Sequence, residues 1–325
     1  MNKFGYQTDW DLLTNRVECL EKVKYEKVKY AYENLLKFIW FEEKFRVLLD
    51  NFYEFEKDMY DIYQNCISVS AEKTQIEIGQ EGINLLNRRL LNFTASARMY
   101  IDEIDYDTTK IFKNSTNEEI QKNLKKYKSE KYDSNVSYQL LELIRNIYQH
   151  RGLLIRKITL VEPLAGEISI APIIVNIRYS DLKQNDNFKN KIKNKEDLEK
   201  FNSDDLNIVH HIRSYIKDLF DIHEYYRKLM SSGVKLHVNT IKNQLKEIEE
   251  VKSSFQEVAF FESNEDFSKY KGILVDKRYI EKYEMNLLKN KLSFDKYFLN
   301  RSTTPFKMLN RLYTQNTDIS LNMIY

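Results

Sequence analysis

The sequence predicts a mainly α-helical protein: an antiparallel helical bundle with a small β insertion and a C-terminal α+β extension. Three observations carry this. Gly (7) and Pro (3) are scarce in 325 residues, whereas all-β folds need many turn residues. Two long stretches place apolar residues at alternating steps of three and four, the period of an amphipathic helix. Between two helical regions the pattern changes to that of strands. Three parts are expected: an N-terminal extension over 1–39, a bundle over 40–232 with a β-rich insertion at about 153–202, and a C-terminal α+β region over 233–325.

Within residues 1–39, Leu12, Leu13, Val17 and Leu20 fit a helix after Asp11. The stretch Lys22 to Tyr30 alternates with period two but is read as helix. From Phe41 the stripe Phe45, Leu48, Phe52, Phe55, Met59, Ile62 and Cys66 defines one long helix with a charged opposite face. Ile83, Leu86, Leu90, Phe93, Ala97, Tyr100 and Ile104 repeat the stepping, so the two helices are expected to pack antiparallel. The aromatic rings in these stripes match the burial period and are read as core. Residues 113–135, rich in lysine and tyrosine, are expected to be a loop that can hold one short helix. A further helix then starts at Ser134 or Asn135, either of which can cap it.

After Gly152 two strands are expected, Ile155 to Val161 and Glu167 to Tyr179, followed by a polar connection over 181–202. The stripe Val209, Ile212, Ile216, Leu219, His223, Tyr226 and Met230 predicts a helix from Ser203, with Asp204 and Asp205 in its first turn and Gly233 at its end. Ile241, Leu245, Ile248 and Phe255 suggest one more helix. Val258 to Phe261 and Gly272 to Val275 suggest short strands, and Lys277 to Lys289 a helix.

The net charge of +2 excludes a global electrostatic field, so affinity for nucleic acid would have to come from local basic patches. Cys19 and Cys66 form neither a disulfide framework nor a metal-ligand spacing, and no apolar run reaches the roughly 20 residues of a membrane span. The expectation is a cytoplasmic protein without a membrane segment, a metal or a cofactor. No phosphate-cradling glycine loop is present. His210 and His211 point about 100° apart on a helix with no third ligand, and His223 lies in an apolar stripe.

The chemistry concentrates at Arg145-Asn146-Ile147-Tyr148-Gln149-His150, the polar side and end of an amphipathic helix that Gly152 terminates. A histidine can move a proton, and a guanidinium fork can stabilise charge building on a phosphate. RNA supplies its own nucleophile, the 2′-OH, so these residue types suit cleavage of RNA without a metal. On a straight helix Asn146 and His150 share a face, whereas Arg145 lies roughly 140° from His150 at about 100° per residue. One undistorted helix therefore does not bring Arg145 and His150 onto one phosphate: either the last turn deforms or two copies of the helix meet, and two-fold pairing would bring Arg145 of one chain near His150 of the other. The bland alternative is a solvated helix end whose histidine suits the helix dipole.

This segment resembles the signature of the HEPN superfamily, an Arg followed by a polar residue and a His after four to six intervening residues. The order of helices over 40–152 and 203–232 is similar to that family as well. The resemblance implies a dimeric helical bundle acting as a metal-independent endoribonuclease in toxin or antiviral defence. Arg145 and His150 would be catalytic, Asn146 supporting, and an antitoxin or activator protein would be a further partner. One subclass has a tyrosine two residues after the histidine, which a nucleotidyltransferase modifies; this chain has Gly152 there, which argues against that route. Arg88, Arg89, Arg98, Arg151, Lys125 and Lys126 are candidate RNA-binding residues, against the alternative of a solvated face. The alternatives to catalysis are a helical interaction module and a regulatory partner of a nucleotidyltransferase.

Overall fold

The structure, a computed structural model, describes residues 3–9, 17–67, 75–111, 116–150, 152–160, 173–185, 188–192, 204–252, 255–263, 270–281 and 284. It is mainly helical, with a small β insertion and an α+β C-terminal part. The described residues of 41–226 form one compact unit, and those of 1–40 with 227–292 form another.

In the first unit the expected core stripes are buried. Helix α1 (Lys22–Ile67) buries Phe41, Phe45, Leu48, Phe52, Phe55, Met59 and Ile62, and α2 (Gln75–Ile111) buries Leu86, Leu90, Phe93, Ala97, Tyr100 and Ile104. Ring pairs Phe52–Phe93 at 5.8 Å and Phe45–Tyr100 at 5.1 Å set α1 and α2 antiparallel. Helix α3 (Thr116–Ser134) and helix α4 (Val136–His150) follow. The loop expected at 113–135 is therefore corrected to a 19-residue helix. Little apolar surface signals α3, because its ties are specific ones. Leu124 is buried, Tyr127 stacks on Tyr225 with centroids 4.3 Å apart, and Lys131 is paired with Asp218 and Asp221.

The insertion is a three-stranded antiparallel sheet in the order β3 (Ile155–Leu160), β4 (Ile173–Arg178), β5 (Asp205–Asn207), rather than the two strands expected. Short helices α5 (Tyr179–Lys183) and α6 (Phe188–Lys191) lie in the stretch read as a plain connection. Asp204 does not enter a helix of its own. Its carboxylate accepts hydrogen bonds from the Ser180 N–H (2.7 Å) and hydroxyl (2.9 Å) at the start of α5.

Helix α7 (Val209–Glu249) starts later than expected and passes through Gly233 without ending. An interior glycine costs only about 1 kcal/mol, and the buried stripe continues on both sides with Met230, Val234, Val238 and Ile241. Antiparallel to α1, α7 contributes His223, whose ring stacks on Phe45 at 3.7 Å. His223 Nδ1 lies 2.9 Å from the Tyr100 hydroxyl and its Nε2 3.3 Å from Glu42, and the residue is fully buried in the core.

In the second unit, residues 22–40 of α1 and 227–249 of α7 supply the helices. Lys22 to Tyr30 is helical, as read. Its sheet has the order β2 (Glu18–Cys19), β1 (Lys3–Thr8), β6 (Glu257–Ser263), β7 (Tyr270–Asp276), antiparallel throughout. Of the helix expected across Leu12 to Leu20, residues 12–16 lie outside the described ones, and Glu18–Cys19 form a strand. β1 pairs with β6 from Lys3↔Ser263 to Thr8↔Val258, so the N-terminal and C-terminal segments share one sheet. Of the helix expected over Lys277 to Lys289, residues 277–281 are helical. Among the described residues no helix is long and apolar enough to cross a membrane.

Candidate active site

Helix α4 is anchored at its start. Asn135 caps it, accepting the Ser137 N–H at 2.9 Å, and donates from Nδ2 to the Ser214 hydroxyl at 2.9 Å and to Asp218. Leu140, Leu141, Leu143, Ile144 and Ile147 are buried, which leaves one narrow polar side: Glu142, Arg145, Asn146, Gln149 and His150. The α4 stripe therefore decides by burial which polar residues stay available.

Glu142 is already committed. It accepts the Tyr215 hydroxyl at 2.7 Å and lies 3.3 Å from Arg98 Nη1, and burial together with this carboxylate holds the Tyr215 phenol well above its ordinary range. Arg145 is half-buried. Its Nη1 donates to Asn146 Oδ1 at 3.0 Å, while its Nε is enclosed without a partner among the described residues. Asn146 and His150 are one turn apart, about 40° round the helix. The bond therefore joins Arg145 to the neighbour that shares a helix face with His150. His150 is exposed, in the last turn of α4.

Arg151 lies outside the described residues. Gly152 has φ +108°, and a Cβ there would meet nothing within 4 Å, so backbone conformation alone requires the glycine. Gly152→Ala is expected to destabilise the protein by about 1–2 kcal/mol, read as a lower midpoint in urea denaturation.

The candidate RNA-binding residues separate into two groups. Arg89 binds Asp58 at 2.5 Å and also Glu54, and Arg98 is held by Asp102 at 2.7 Å and by Glu142. Both are engaged in intramolecular ion pairs. Lys126 lies 3.8 Å from Glu130. Arg88 on α2 and Lys125 on α3 are exposed with no ion-pair partner among the described residues. Burial holds the His211 imidazole well below its ordinary value, with Nδ1 2.8 Å from the Ser137 hydroxyl. Among the described residues no group of three or more His, Cys, Asp or Glu is placed to hold a metal ion.

One residue of this region escaped the reading of the sequence. Asn87 of α2 is fully buried and bonded to Tyr148 and to the start of β3. Its only trace in the sequence is its place beside Leu86 and Leu90 in an otherwise apolar stripe.

No protein-family model, curated protein or solved structure matches the chain.

Proposed function

We propose that the protein is a metal-independent endoribonuclease of HEPN type, cytoplasmic, acting in toxin or antiviral defence as a homodimer with a composite site. The observation that supports this best is the Arg145–Asn146 hydrogen bond, which ties a guanidinium to the residue that shares a helix face with the exposed His150. In the reaction the RNA 2′-oxygen attacks the adjacent phosphorus. A bond from phosphorus to the 2′-oxygen forms and the bond to the 5′-oxygen breaks. The 2′-OH proton passes to a base and the leaving 5′-oxygen takes up a proton. His150 serves in one of these two transfers. Arg145 stabilises the charge on the non-bridging oxygens, and Asn146 holds the guanidinium in place. A second copy of the chain supplies the group for the other transfer.

The decisive experiment incubates purified protein with RNA in EDTA. Fragments ending in 2′,3′-cyclic phosphate and 5′-OH are expected, together with a dimer in sedimentation. Intact RNA with a folded dimer would instead favour a non-catalytic interaction module, or an enzyme held inactive until an activator protein binds. Arg88 is exposed on α2 with no ion-pair partner among the described residues, so Arg88→Ala is expected to weaken RNA binding alike for all sequences. It should also lower the salt slope of affinity by about 1, measured by fluorescence anisotropy in a salt series. Arg89→Ala should act on stability instead.

A further inference from the structure

We infer that Asn87 is a positioning residue for His150, an inference that rests on the ribonuclease reading for its kinetic consequences but not for its structural one. Asn87 has no exposed surface. Its Oδ1 accepts the Tyr148 hydroxyl at 2.7 Å, the Leu154 N–H at 3.1 Å and the Ile155 N–H at 2.9 Å. Its Nδ2 donates to the carbonyls of Ile83 and Ile155, each at 3.0 Å. Three donors on one side and two carbonyls on the other fix which way the carboxamide points.

The bonded residues bracket the site. Tyr148 precedes His150 by two positions and Leu154 follows it by four, with the left-handed Gly152 between them. A helix end ordinarily frays, and its last carbonyls lack partners within the helix. Here the last turn of α4 and the first residues of β3 are fastened to the same atom of a third element, α2. The imidazole is therefore carried on a short segment clamped at both ends.

Only an amide does this. Asp keeps the oxygen for Tyr148, Leu154 and Ile155 but turns a second oxygen toward two carbonyls, and Leu or Ala leaves buried N–H and C=O groups unpaired. Burial raises the Tyr148 phenol well above its ordinary range, so it remains a proton donor to Asn87. The interaction is thus present across the pH range in which RNA cleavage would be followed.

The test uses the full chain with Asn87→Ala, Asn87→Asp and Tyr148→Phe, labelled at histidine for NMR and assayed on an RNA oligonucleotide in EDTA. The chain has five histidines, so His210, His211, His223 and His237 serve as internal controls. In Asn87→Ala the His150 ring signals should broaden and move toward those of free histidine while the other four hold. The kcat should fall by about 100-fold with KM little changed. Tyr148→Phe, which removes a single hydroxyl, should act in the same direction by roughly tenfold. Asn87→Asp should lie between that variant and Asn87→Ala.

Unmoved His150 signals in folded variants, or lowered thermal stability with kcat intact, overturn the inference and leave Asn87 a purely structural residue. If Asn87→Ala does not fold, Tyr148→Phe decides by the same criteria. If the unsubstituted protein cuts no RNA, the kinetic criteria drop out, and the histidine spectra alone judge the positioning.

Discussion

His150→Ala is expected to lower the rate of RNA cleavage in EDTA by about 100- to 10,000-fold, the usual contribution of a positioned general acid or base. The fold should not notice. The imidazole is exposed in the last turn of α4, so circular dichroism and the unfolding midpoint should match those of the unsubstituted protein. Arg145→Lys provides the complementary test. It keeps the charge but loses the planar fork that both grips Asn146 and matches phosphate oxygens. A loss of about 100-fold or more in kcat is expected. A His150→Ala protein that degrades RNA at the original rate would end the proposal, since His150 is the residue assigned a proton transfer.

Arg213→Ala should produce the largest loss of stability among the ion pairs. Glu56 of α1 keeps only 5% of its side chain exposed, and Arg213 of α7 grips both carboxylate oxygens, at 2.9 and 2.8 Å. Removing the guanidinium strands a buried charge, at a cost of about 3–5 kcal/mol. Glu56→Ala should cost less, because the Arg213 side chain is 25% exposed and its guanidinium can turn to water. Replacing both residues by Met should recover most of the loss, since a buried pair seldom outperforms well-packed apolar groups. Urea denaturation of the three variants measures this order. Equal losses for the two single variants would mean that the pair is effectively solvated.

The long helices were legible because their evidence is local. Every third or fourth residue from Phe41 to Ile62 and from Leu86 to Ile104 is apolar, and those residues are buried. The elements that escaped were held by remote partners. Strand β1 carries no strong alternation of its own and exists through its register with β6. Helix α3 is too polar to be recognised from its stripe, and its ties reach Tyr225, Asp218 and Asp221 on α7. Gly233 was a plausible stop that failed because the apolar period continues beyond it, and packing outweighs a cost of about 1 kcal/mol.

By itself the sequence determined the helical periods, the left-handed turn reserved for Gly152 and the adjacency of Arg145, Asn146 and His150. All of these are properties of residues within a few positions of one another. The tertiary structure decided the rest of the candidate site. It consumed Arg89 and Arg98 in ion pairs, committed Glu142 to Tyr215 and placed Asn87 beneath the end of α4. Those outcomes depend on charges and amides that meet only when distant helices pack. Periodicity records which side of a helix is buried, not which partner waits there.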